Sequence, residues 1–177
     1  MSGPAFVADG GDQNDYRAFL DQVDTVQREQ MAKLRKLGAK AVWVEGESDK
    51  TIDAYRRRIE TLKKVKLPKG DTPLDQFIRD MYREDLLQIG AAGQLLLAGE
   101  IENVLPLEDH EAWQAANPVK AGKVVIDEAA DSRREQAIVK RLLPQERAII
   151  VLGAAHDLSK HLPAATKYRV VKVNALP

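Results

Sequence analysis

A chain of 177 residues suits one domain, and by size scaling such a chain buries about 70% of its unfolded surface, enough for a full core. Lys plus Arg and Asp plus Glu each number 27, so no net field draws the molecule to nucleic acid or to an acidic membrane. There is no cysteine, which removes disulfides, thiolate nucleophiles and thiolate metal sites and leaves only His and carboxylates to hold a metal.

Residues 1–11 are small, polar and Gly-rich and read as a flexible leader without the basic start or apolar region of a secretory signal. With Met1 as the native start, the expected compartment is the cytoplasm. Residues 12–177 read as a single α/β domain. From Asp12 to Leu37, Tyr16, Phe19, Leu20, Val23, Val26, Met31 and Leu34 fall at three- and four-residue steps, which predicts a long amphipathic helix stopped at Gly38. Lys40 to Glu45 is a short β-prone run that closes on a carboxylate and Gly46. Ser48 or Asp49 can cap a helix to about Val65 whose back, with Arg56, Arg57, Arg58, Lys63 and Lys64, reads as a solvated face and not a nucleic-acid surface.

After a loop at Pro68 and Gly70, Thr72 and Pro73 open a long helix carrying Leu74, Phe77, Ile78, Met81, Leu86 and Ile89. Gly90 to Gly93 interrupts it with small residues, expected to let a neighbouring element approach closely. Its apolar part, Leu86 to Ala98, falls short of the ~20 residues a membrane helix needs. Ile101 to Leu107 looks extended, and Pro106 places it at an edge or in a loop. Asp109, His110 and Glu111 are adjacent on a short helix, so they face different ways and are expected at the surface. Val124 to Ile126 is a short strand or turn, and Asp127 to Leu143 is a helix with Ala130, Ala137, Ile138, Leu142 and Leu143 inward. Ala148 to Leu152 is an unbroken apolar run ended by Gly153, which predicts a strand buried on both faces. A helix from Leu158 to Ala165 and an alternating strand from Tyr168 to Val173 complete the pattern. The order of elements predicts a small, mostly parallel sheet flanked by long helices.

Two of these strands end in polar tips, Glu45 with Gly46 and Gly153 followed by His156 and Asp157, at the edge where open α/β sheets gather ligands. Several stretches together, Val42-Trp-Val-Glu45-Gly46, Ile89-Gly-Ala-Ala-Gly-Gln-Leu-Leu-Leu, Leu105-Pro-Leu-Glu-Asp, Arg134-Glu-Gln-Ala-Ile-Val and Ile149-Ile-Val-Leu-Gly-Ala-Ala-His-Asp, resemble the superfamily of TraB, Tiki, ChaN and erythromycin-esterase proteins. The resemblance spans roughly residues 12–174 and is nearest to uncharacterised bacterial members. It implies Glu45 as the site carboxylate, Arg134 as the late-helix arginine and Gly153-Ala-Ala-His156 as the closing Gly-x-x-His. The superfamily's earlier Gly-x-x-His has no counterpart before the first helix, which marks the domain as incomplete relative to that pattern.

The resulting expectation is a hydrolase-like protein, metal-dependent or degenerate, that takes a small ester or peptide. Glu45, His156 and Arg134 are its candidate catalytic residues, and Gly153 and Asp157 its candidate ligand-binding residues. A divalent metal would be shared by His156 and Glu45. The alternative is a non-catalytic haem- or small-ligand-binding protein that uses His156 as ligand in the same cleft. Asp157 is a second acid able to orient the imidazole, and His161, five residues after His156, is expected at the surface. With the superfamily's first strand missing, an open sheet edge would be covered by the segment around Phe6 or by a second copy, so a homodimer or a marginally stable monomer with weak hydrolysis is expected.

Overall fold

The computed structural model describes residues 12–120, 123–153 and 156–173. The leader read over residues 1–11 lies outside them, as do Ala154 and Ala155 of the closing motif. Helix α1 spans Gln13–Lys36, and the carboxylate of Asp12 caps it by accepting from the Asn14 N–H at 2.6 Å. Strand β1 is Ala41–Ser48 and helix α2 is Ile52–Leu62. Helix α3, Pro73–Leu97, starts at a reciprocal capping box between Thr72 and Asp75 with proline at its first position, as the sequence predicts. Strand β2 (Asn103–Glu108) and the short helix α4 (His110–Ala115) follow, then an antiparallel pair of two-residue strands, β3 (Val119–Lys120) and β4 (Lys123–Val124). Helix α5 is Glu128–Leu142, capped by Asp127, strand β5 is Ile150–Val151, and a 3₁₀ turn covers Leu158–His161.

The main sheet is parallel, with the order β2-β1-β5. The chain leaves β1 through α2 and α3 to reach β2 on one side, then passes through α5 to reach β5 on the other. Strand alternation sends Val42 and Val44 into a core shared with Ile52, Ala91, Ala92, Leu95 and Leu34, while Trp43, Ile150 and Leu152 face Leu107, Ile138, Val139 and Leu158. Helices therefore cover both faces of a small α/β sheet, in agreement with the predicted class. β1, flanked on both sides, is the central strand.

Several expectations are corrected. The apolar run Ala148 to Leu152 is not a strand buried on both faces: its paired part is two residues at the sheet edge, and Ile149 to Leu152 are half-buried. An apolar run reports that a strand is covered, and a helix layer on each face supplies the cover without a second strand neighbour. Tyr168 to Val173 forms no strand; Tyr168, Val170 and Val171 are exposed, because alternation prepares a face for pairing without providing a partner. The helix expected from Leu158 to Ala165 is a single 3₁₀ turn. Pro163 pushes Leu162 into extended backbone (φ −80°, ψ 139°) and ends it. Ser48 closes β1 instead of capping a helix, and α2 begins only after Thr51.

The stripe on α1 is core only in part: Tyr16 and Leu34 are buried, whereas Phe19 is 50% exposed. Leu74, Phe77 and Met81 on α3 are exposed as well, since the sheet packs against the carboxyl halves of both helices. Their amino halves meet through Arg83 on Asp21 at 2.5 Å, and just past the midpoints Gln27 donates its amide to the Leu87 carbonyl at 2.8 Å. Leu143, expected inward, is 48% exposed just past the end of α5. Among the described residues no helix is long and apolar enough to cross a membrane.

Gly90 breaks α3 with φ 64° and ψ −178°, a conformation open almost only to glycine. The break turns the Ile89 carbonyl to the Tyr55 hydroxyl, which donates to it at 2.5 Å. One turn later Gly93 lies under the same ring: a Cβ there would sit 2.5 Å from the Tyr55 oxygen. Close approach of a neighbouring helix, expected for both glycines, is the role of Gly93 alone; a Cβ on Gly90 would meet nothing within 4 Å, and that residue serves the backbone break. Gly90→Ala and Gly93→Ala are each expected to destabilise the fold by ~1–3 kcal/mol, the first through backbone strain and the second through overpacking. Urea unfolding separates the causes, since removing the hydroxyl with Tyr55→Phe should lower the penalty of Gly93→Ala and leave that of Gly90→Ala unchanged.

Candidate functional site

Beyond Val44, paired with Pro106, the next aligned pair is Ser48 with Glu108, so β1 carries extra residues across from β2. This bulge holds Gly46 at φ 81°, and its N–H donates to Glu108 Oε1 at 3.2 Å. The same irregularity turns Glu45 toward the end of β5, where the Gly153 N–H donates to Glu45 Oε2 at 2.5 Å. Glu45 and Gly153 thereby meet where β1 gives way to its second neighbour, the switch point at which parallel sheets open a crevice.

Arg134 enters this crevice from α5. It lies one turn from both Ala130 and Ile138 on the buried face of the helix, so a guanidinium stands where the pattern would otherwise place an apolar group. Its Nε donates to Glu108 Oε2 at 3.0 Å and its Nη2 to Glu108 Oε1 at 2.5 Å, a two-bond fork onto a fully buried carboxylate. Nη2 also donates to Glu45 Oε1 at 2.9 Å, and Nη1 lies 3.0 Å from His156 Nε2. Burial opposes the charge on Arg134, but the two carboxylates outweigh it and hold its pKa above the ordinary value.

On the far side of His156, Nδ1 lies 3.3 Å from Glu135 Oε1. Glu135 is nearly buried and collects four donors: His156, the Asp157 N–H at 3.3 Å, His161 Nε2 at 3.2 Å and Lys160 Nζ at 2.9 Å. Burial pushes this carboxyl up, yet the contacts to Lys160, His156 and the Asp157 N–H prevail and leave it below the usual glutamate range.

The structure brings together Glu45, Arg134 and His156, which are scattered along the sequence, and Gly153 joins them through its backbone. Asp157 stays outside the cluster. Its carboxylate caps the 3₁₀ turn, accepting from the Ser159 N–H at 3.0 Å and its hydroxyl at 2.6 Å, and those bonds lower its pKa. His161 is not at the surface: its side chain is 13% exposed against Glu135, because the turn folds it back where an α-helix would have carried it away. Asp109 caps α4 and Glu111 is exposed, while His110 Nδ1 reaches the buried Ser48 hydroxyl at 3.1 Å. On the basic back of α2, Arg56 pairs with Asp53, Arg58 with Asp85 and Lys63 with Glu60.

Glu108 and Glu135 are the members that sequence reasoning missed. A signal for Glu135 exists, since Ala130, Arg134, Glu135, Ile138 and Val139 share the buried stripe of α5. Nothing comparable marks Glu108, which is buried by the end of a strand and not by periodicity.

The donor set does not fit a shared metal as placed. Arg134 already bridges Glu45 and His156, and among the described residues no group of three or more His, Asp and Glu is arranged to hold an ion. Haem ligation at His156 meets a similar obstacle, since both ring nitrogens are engaged. Open concavities of about 420 Å³ along α1, between Phe19 and Gln30, and about 410 Å³ beside Asp109, Lys140 and Arg141 lie away from the cluster. The chain matches no family model, no curated protein and no solved structure.

Removing the guanidinium leaves Glu108 buried and unpaired, so Arg134→Met should destabilise the protein by ~3–5 kcal/mol in urea unfolding, and adding Glu108→Gln should recover part of that loss. Glu135 carries a pH dependence of definite sign. Its folded pKa lies below the unfolded value of ~4.3, so its contribution is present above that pH and is lost as pH falls through the folded value. The stability difference between wild type and Glu135→Gln, followed by urea unfolding from pH 7 to pH 3, should shrink on the acid side.

Proposed function

We propose that the protein is a hydrolase-like member of the superfamily of TraB, Tiki, ChaN and erythromycin-esterase proteins, acting on a small ester or peptide at the carboxyl edge of its sheet. One observation supports this reading above the others: Glu45, Arg134 and His156 lie within 3.4 Å of one another, atom to atom, at the switch point of a parallel sheet.

In this reading His156 Nε2 is the general base. A water entering beside Glu45, the more exposed of the two groups, takes the place of Arg134 Nη1 at the Nε2 lone pair and gives its proton to Nε2 as its oxygen attacks the substrate carbonyl. The imidazolium that forms stands between the carboxylates of Glu45 and Glu135. Three of the five N–H groups of Arg134 stay on Glu108 and Glu45, and Nη1, released from Nε2, carries the donors for the developing oxyanion. The proton then passes from Nε2 to the leaving group. No step runs through a metal. The alternative, haem or another ligand on His156, would require that side chain to give up its bond to Arg134 or to Glu135.

The test is turnover of a panel of chromogenic small esters and short peptides by the purified chain, with and without added divalent metal, beside a visible absorption spectrum. Hydrolysis that falls by roughly 10²–10⁴-fold in both His156→Ala and Glu45→Gln is the expected result. No turnover above the enzyme-free control across the panel, or turnover indifferent to both substitutions, would overturn the reading, and a stoichiometric haem band would favour the ligand-binding alternative.

A further inference from the structure

Glu135 is absent from the mechanism as a reacting group, yet it is the most heavily engaged carboxylate of the cluster. We infer that Glu135 is the positioning residue of His156, fixing the imidazole with its proton on Nδ1 and its acceptor lone pair on Nε2. The functional consequence rests on the reading of His156 as base; the tautomer itself does not.

The argument starts from donors that have no alternative. A guanidinium has only N–H groups to offer, so the 3.0 Å contact between Arg134 Nη1 and His156 Nε2 requires Nε2 to accept. A neutral ring then carries its proton on Nδ1, and the atom facing Nδ1 at 3.3 Å is Glu135 Oε1, which can only accept. The rest of the surroundings agree. Glu45 on β1 and Glu108 on β2 are held by Arg134, and Lys160 and the Asp157 N–H hold Glu135 from the turn with their own obligate donors. His161 Nε2 completes the set on Glu135 Oε2. Each carboxylate oxygen of Glu135 thus faces one obligate donor and one imidazole.

That arrangement decides what Glu135→Gln does. Lys160, charged and at 2.9 Å from Oε2, holds the amide oxygen on its side, so the amide nitrogen turns to the side of His156, where both contacts are 3.3 Å. An amide N–H against Nδ1 forces that nitrogen to accept and moves the ring proton to Nε2. There it meets the N–H of Arg134 head on, and the nearest acceptor is Glu45 Oε1 at 3.4 Å. The ring thereby loses the Nε2 lone pair.

The chain has three histidines, His110, His156 and His161, so ring nitrogens can be assigned with His110→Asn and His161→Asn. Long-range ¹H–¹⁵N correlation spectra of the whole labelled chain near neutral pH should show His156 in the Nδ1–H form in wild type, in the same form in Glu135→Asp, and in the Nε2–H form in Glu135→Gln. On any substrate the wild type turns over, kcat should drop by roughly 10²–10⁴ in Glu135→Gln with KM little changed. Wild-type His156 protonated on Nε2, or an unchanged tautomer in folded Glu135→Gln, would overturn the assignment even if hydrolysis were found. A Nδ1–H wild type that switches in Glu135→Gln would uphold it even if no substrate were found.

Discussion

The constraint on which the rest depends is the burial of Arg134. A guanidinium withdrawn from water costs several kcal/mol unless nearby charge and hydrogen bonds offset it, and here Glu108 supplies a two-bond fork while Glu45 and His156 take further donors. These partners come from β2, β1 and the segment after β5, so the charge is satisfied only when three separate parts of the chain stand in register with α5. A three-stranded sheet has little pairing of its own, and the apolar clusters on its two faces are separate. Each apolar cluster already draws on all three strands, and the ionic cluster adds a directional tie among their carboxyl ends.

The placement of that cluster follows from the path of the chain. Reversal of direction after β2 puts β5 on the opposite side of β1, with α2 and α3 over one face and α5 over the other. The carboxyl ends of β1 and β5 thus lie side by side at the switch point, where the polar groups gather. The bulge around Gly46 aims Glu45 there, and the same backbone bonds Glu108 through its N–H. Charge and geometry therefore reinforce one another: the irregular strand end presents the carboxylate, and the helix returns the cation that makes its burial tolerable. Three carboxylates, Glu45, Glu108 and Glu135, face two permanent cations, Arg134 and Lys160, an excess of negative charge suited to stabilising an imidazolium between them.

The amino acid sequence by itself determined the class of the fold, both long helices, the Thr72 cap of the second, an edge or loop position for the segment containing Pro106, and polar tips on β1 and β5 at one end of the sheet, whereas Arg134 was placed beside them only by the family resemblance. What the residues themselves determine follows from local chemistry: Thr72 satisfies free N–H groups, helical periodicity marks buried faces, and strand ends in parallel sheets point the same way. Only the tertiary structure decided that β1 and not β5 is central, that Tyr168 to Val173 stays outside the sheet, and that Glu108, Glu135 and His161 belong to the cluster. The physical reason is common to all of these. Periodicity reports that a side chain is covered but not by what, and a buried carboxylate is recognisable only once the donors that neutralise it, from residues distant in the chain, have been brought within hydrogen-bond reach.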